Sequence, residues 1–232
     1  MKLSLRELEI CKNRCGKDKL QGFEEVDDNT PDLDSISNEE LEKDVRELLR
    51  NELMEASADS IVMSALGWHV MNLMEKPEQF IMIENNVSGL CERLYISNTY
   101  YLYLAENRKI EAKDSSDRFI LEYLPDLKMV VGSFVSSIRI PQKDLNEISY
   151  EGAETAINIT GRSWNDNGEE DPGIDITADY AGDECMEYEV LDPHTGVSEK
   201  KISHMSEMIN FITKWLFERL SETMQRKEKR NA

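Results

Sequence analysis

Apolar and polar positions alternate with a strand-like period over two stretches of this chain, and each stretch is closed by an apolar segment with helical spacing. In the first, FIMIEN, TYYLYLAENRKIEAK and RFILEYL read as strands and PDLKMVVGSFVSSI as a helix. In the second, AINITGRSW, GIDITADY and MEYEVLDPHTGVSEKKI read as strands, followed by the helix SHMSEMINFITKWLFERLSETM. Residues 80–140 and 154–224 therefore share one order of elements. The pattern predicts an α+β fold: a mostly antiparallel central sheet with helices, made of two quasi-repeated strands-then-helix halves. No alternating βαβ series supports a doubly wound nucleotide fold. Each half alone would leave an edge strand and an apolar helix face exposed, so residues 1–232 are expected to form one domain.

Helical spacing also precedes the strands. Residues 3–15 read as a short helix with Leu3, Leu5, Leu8 and Ile10 as its apolar contacts. Residues 24–37, EEVDDNTPDLDSIS, are acidic and apolar-poor and read as a loop or linker. Ser37 followed by Glu40 is a capping box, and Leu41, Val45, Leu48, Leu49 and Leu53 then form one stripe. A second helix is expected from about Asp59 to Lys76, stopped by Pro77. Ile61, Val62, Leu66, Trp68, Val70, Leu73 and Met74 surround much of it, as in a helix buried on several sides. Glu106-Asn107 marks a hairpin, Pro125 suits the first turn of the next helix, and Asp192 to Gly196 reads as a turn.

The last helix is expected from near Ser203. Met205, Met208, Ile209, Ile212, Leu216 and Leu220 form its stripe, with Phe211, Trp215 and Phe217 to the flanks. That width exceeds what one sheet needs. One reading packs the helix between the sheet and a second helix, the one near Leu41–Leu53. The other leaves part of the surface for a partner, because methionine and aromatic side chains suit adaptable interfaces. On the second reading Phe211, Trp215 and Phe217 are the partner-binding candidates.

Charge narrows the choice of partner. The chain of 232 residues has 27 Lys and Arg against 47 Asp and Glu, a formal net charge of -20. Such a surface repels phosphate backbones and anionic lipid, which argues against nucleic acid and against membrane insertion. Solubility alone explains the charge; steering toward a basic partner is the sharper alternative. The start, MKLSLRELEICKNRCGKDK, has charges where a signal peptide needs an apolar core. The longest apolar stretch, near Leu127–Ile140, is too short and polar to span a bilayer. Four scattered cysteines do not make a disulfide framework. A cytoplasmic protein with reduced thiols is the expectation.

Candidate chemistry is sparse. Cys11 and Cys15 share a helix face but lack a second ligand pair, because His69, His194 and His204 are isolated in sequence. Cys91 and Cys185 have no adjacent histidine to activate them. The acidic stretch SWNDNGEEDPGIDITADYAGDE invites calcium, but placing Gly168 at the EF-hand glycine puts Ser163 first and Ile174 last, where a carboxylate is required. A solvated hairpin loop is the plainer reading. No nucleophile elbow, phosphate-binding glycine loop or zincin motif occurs. No metal, cofactor or catalytic residue is expected, and the chain reads as a non-enzyme.

The element order resembles that of EspG-type chaperones and related proteins of Gram-positive type VII secretion systems. LSLRELEIC with the later LQGF is similar to that family's opening helix, and NEELEKDVRELLRNELM is placed like its second helix. LMEKPEQFIMIE is similar to a helix end, a proline and the first sheet strand; RFILEYLPDLKMVVGSFVSSI resembles the strand and helix that close the first half. The resemblance implies a cytosolic, chaperone-like protein that binds helical substrates of a specialised secretion system. The rivals are an immunity or antitoxin protein neutralising a basic toxin, and a hydrolase with carboxylate chemistry.

Overall fold

A computed structural model describes residues 1–23, 32–97, 100–110, 112, 115–138, 156–164, 170–182, 185–191, 195–214 and 217. The chain enters through β1 (Lys2–Leu3), α1 (Leu5–Arg14), α2 (Asn38–Arg50), the small hairpin β2 (Met54–Ser57) and β3 (Ser60–Met63), and α3 (Ala65–Glu75). The first strand-then-helix half follows: β4 (Gln79–Asn85), β5 (Leu90–Ser97), β6 (Tyr100–Asn107), β7 (Phe119–Leu124) and α4 (Leu127–Ile138). The second half is β8 (Ile157–Trp164), β9 (Glu170–Gly182), β10 (Cys185–Leu191), β11 (Ser198–His204) and a helical segment over 205–214.

Nine strands form one antiparallel sheet in the order β1-β7-β6-β5-β4-β8-β9-β10-β11. Both halves run outward from the central β4–β8 pair, where Ile83 faces Ile159 and Ile81 faces Gly161. A two-fold pseudo-symmetry axis therefore passes between β4 and β8. The antiparallel α+β fold expected from the pattern is the observed one.

Strand alternation sends side chains to two separate cores. On one face, Ile81, Ile83, Leu94, Tyr103, Ile159, Ile176 and Tyr188 pack with Val130, Val131 and Ile138 of α4 and with Met208, Ile209 and Ile212 of the last helical segment. On the other face, Phe80, Tyr95, Leu102, Leu104, Phe119 and Leu121 pack with α1, α2 and α3 through Leu8, Leu48, Met71 and Met74. The last helix accordingly shares a core with α4 and not with α2; the expected pairing with Leu41–Leu53 is wrong, because α2 lies on the opposite face.

Local physics explains the helix starts. Ser37 Oγ accepts from the Glu40 amide at 3.3 Å while Glu40 accepts from the Ser37 amide at 3.2 Å, as the capping box required. Ser4 and Glu7 close a second box before α1. Other expectations need correction. Residues 60–63 are the strand β3, not helix: Ser64 is the N-cap of α3, its hydroxyl accepting from the Gly67 amide at 3.0 Å. Ile61, Val62 and Trp68 are exposed, so α3 is buried on one side only. LCERLYIS is β5, a strand absent from the initial pattern because Glu92 and Arg93 interrupt its apolar run. Glu106 and Asn107 end β6 rather than forming a hairpin turn. Pro125 precedes α4 and is not in its first turn: the helix starts at Leu127, and the Asp126 carboxylate accepts from the Met129 amide at 2.9 Å. Ser203 and His204 still belong to β11. Of the acidic stretch 163–184, read as a solvated hairpin loop, Glu170–Gly182 is strand β9; 165–169 and 183–184 lie outside the described residues, as do 24–31 and 192–194.

Candidate functional site

The pseudo-symmetric sheet has four face quadrants, and helices among the described residues cover three. Next to the α1–α3 core, the matching face of β8–β11 has no described helix over it. Register places Thr160, Asp175 and Leu191 in one row, Asn158, Thr177, Glu189 and Lys200 in the next, then Asp179, Glu187 and Ile202, and finally Cys185 and His204. Asp175, Asp179, Glu187, Lys200, Ile202 and His204 are exposed. Neighbouring cross-strand side chains stand about 5 Å apart, so these carboxylates share one electrostatic field. Partial burial raises the Asp175 carboxyl above its ordinary range, and the Glu189 charge raises it further. Lys200 Nζ stands 3.6 Å from Glu189 Oε2. Asp179 Oδ1 accepts from the Ala156 amide at 3.0 Å, which orients that carboxylate at the inner end of its row.

The face ends on a covered ionic row. Glu84 on β4 takes Arg108 at 2.8 Å, and Glu106 on β6 takes Arg93 and Arg118, each at 2.9 Å. This cluster lies under the N-terminal helices and loop and serves structure: Arg93 Nε donates to the Gly22 carbonyl at 2.8 Å, and its guanidinium lies 4.4 Å from the Phe23 ring centre.

The aromatic candidates separate. Phe211 is half-buried, its ring 5.9 Å from that of Tyr188, with Lys201 Nζ 4.8 Å from its centre. Phe217 is 43% exposed. Trp215 lies outside the described residues. Phe211 packs on the helix-covered side of the second half, not on the face opposite.

Burial silences three of the four thiols. Cys11 and Cys91 are pushed up to about 12 and about 11, in both cases chiefly by burial, and Cys15 is raised for the same reason. Among the described residues, no group of three His, Cys, Asp or Glu side chains has metal-binding geometry. The fourth thiol differs. Cys185 is half-exposed and faces His204 across β10–β11, with Sγ 4.0 Å from Nδ1. The expectation that Cys185 has no adjacent histidine is corrected here. The partner is 19 residues away in sequence, and strand register brings it near.

An apolar groove of about 490 Å³ lies between α2 and β3, lined by Leu41, Val45, Leu49 and Ile61. Leu48 and Leu53 of the predicted stripe are fully buried, Leu53 beyond the end of α2, while Leu41 lines the open groove. No helix among the described residues is long and apolar enough to cross a membrane. The chain matches no protein-family model and no curated protein, so its function has to be read from its own surfaces.

Proposed function

We propose that the protein is a non-enzymatic, chaperone-like binding protein, and that a basic helical segment of its partner docks on the bare face of β8–β11. The observation that supports this is the quadrant of a pseudo-symmetric sheet that no helix among the described residues covers. Its counterpart on β4–β7 carries helices, so the same curvature presents a surface of helix-bearing shape. Its carboxylates, Asp175, Asp179, Glu187 and Glu189, make it unsuited to an apolar covering helix of this chain and complementary to lysine and arginine. The resemblance to EspG-type chaperones suggests the partner's class, a helical substrate of a type VII-like secretion system. An immunity or antitoxin role is the second reading, and the same carboxylates favour it.

Co-purification from the native host tests the proposal. The expected result is a stoichiometric basic partner that is lost at high salt and lost from the double variant Asp179→Lys/Glu187→Lys. Its identity as a secreted helical protein or a toxin separates the two readings. A chain that purifies alone at low salt, or whose partner survives both changes, contradicts the proposal.

A further inference from the structure

We infer that Cys185 and His204 form a thiol–disulfide exchange site that takes neutral or cationic disulfides. Three observations carry it. The two side chains are register partners on adjacent strands, with Sγ 4.0 Å from Nδ1. They lie on the face that no helix among the described residues covers, where Cys185 is half-exposed and His204 exposed. The other three cysteines are buried, so an incoming disulfide meets one thiol per chain.

The chemistry balances without any further reactant. Cys185 Sγ–H gives its proton to His204 Nδ1, and the thiolate attacks one sulfur of R–S–S–R. The Cys185 Sγ–S bond forms as the R–S–S–R bond breaks, and the departing RS⁻ takes the proton from the imidazolium. Cys185 is oxidised to a mixed disulfide, and half of the incoming disulfide is reduced to RSH.

The surroundings select the reagent. On the same face Glu187 follows Cys185 along β10, Asp179 of β9 faces Glu187, and Ile202 and then Lys200 follow His204 back along β11. Residues 183 and 184 lie outside the described residues. Among the described residues, His204 is the basic group beside the thiol. The carboxylates repel anionic disulfides such as glutathione disulfide and attract a cationic one such as cystamine.

The test uses the full chain and three probes: cystamine, neutral dipyridyl disulfide and glutathione disulfide. The expected result is one fast thiol per folded chain, mapped by mass spectrometry to Cys185. It should react about tenfold faster with cystamine than with glutathione disulfide at low salt, with the gap closing as salt is added. His204→Gln should slow dipyridyl disulfide about tenfold near neutral pH. The two proteins should converge at high pH, where no base is needed. Cys185→Ser should abolish the reaction and Cys91→Ser should not. If His204→Gln unfolds the chain, all four thiols will react; His204→Asn then replaces it. Equal rates for the His204 variants and the wild type at every pH, a fast thiol other than Cys185, or no preference for the cationic disulfide would overturn the inference.

Discussion

Arg93 Nη2 stands 2.9 Å from Glu106 Oε2 on the neighbouring strand, and both side chains are fully buried. Glu106 also receives two nitrogens of Arg118, and Arg93 reaches the Gly22 carbonyl. The network thus joins β5, β6, the residue preceding β7, and the segment that follows α1. Burial alone would raise the Glu106 carboxyl, but the Arg93 and Arg118 charges and hydrogen bonds outweigh it and hold it below the ordinary range.

Glu106→Gln should therefore destabilise the fold by about 3–5 kcal/mol, because it leaves buried arginine charge unpaired. Chemical denaturation against pH checks this with a defined sign. A depressed carboxyl contributes stability that is complete above its unfolded value, about 4.3, and lost as pH falls through its folded value. The gap between wild type and variant should stay constant near neutrality and narrow only below about pH 4.3.

Gly67 in the first turn of α3 is pressed against Leu53. A Cβ at this position would stand 2.2 Å from the Leu53 carbonyl oxygen, a backbone atom that also accepts from the Ser64 amide. Gly67→Ala should cost about 1–3 kcal/mol despite alanine's better helix propensity, and thermal unfolding will record a lower Tm.

Separate expression of residues 1–140 and 150–232 should yield no pair of independently folded fragments. The cut divides the central β4–β8 ladder, in which Gln79–Asn85 pairs with Ile157–Ser163, and it removes half of the core under α4. Two soluble fragments with cooperative unfolding would contradict a single domain.

Phe217, at 43% exposure, is a surface side chain, whereas Phe119 is fully buried. Phe217→Asp should change stability by no more than about 0.5 kcal/mol, while Phe119→Ala should cost about 3–5 kcal/mol. Measuring partner capture by the folded Phe217→Asp chain then decides whether the last helix contributes to binding: unchanged capture removes Phe217 from the interface.

Much of the sheet was legible because its strands alternate cleanly. Ile157 and Ile159 with Asn158 and Thr160 between them report both the strand and its faces. β5 was not legible, since Arg93 and Glu92 look like a polar break until Glu106 and Arg118 are placed beside Arg93. Ile61 and Val62 misled in the opposite way: a short apolar run before a helix reads as helix, and the hairpin pairing of Ala56 with Ile61 is what makes it strand. The bare face could not be read at all. Its content, alternating polar positions on β8–β11, is that of any solvated sheet face, and its distinction lies in which quadrants helices cover. The Cys185–His204 pair was hidden for a related reason, because its 19-residue separation becomes contact only once β10 and β11 are in register.

The central claim is that the bare face of β8–β11 carries the partner. Carboxyl footprinting by mass spectrometry, comparing the chain alone with the complex purified from its native host, tests this most directly. Asp175, Asp179 and Glu187 should label readily in the free chain and lose most of that labelling in the complex, while Glu39 and Glu42 on α2 stay unchanged. Undiminished labelling of all three, with protection appearing elsewhere, would contradict the account.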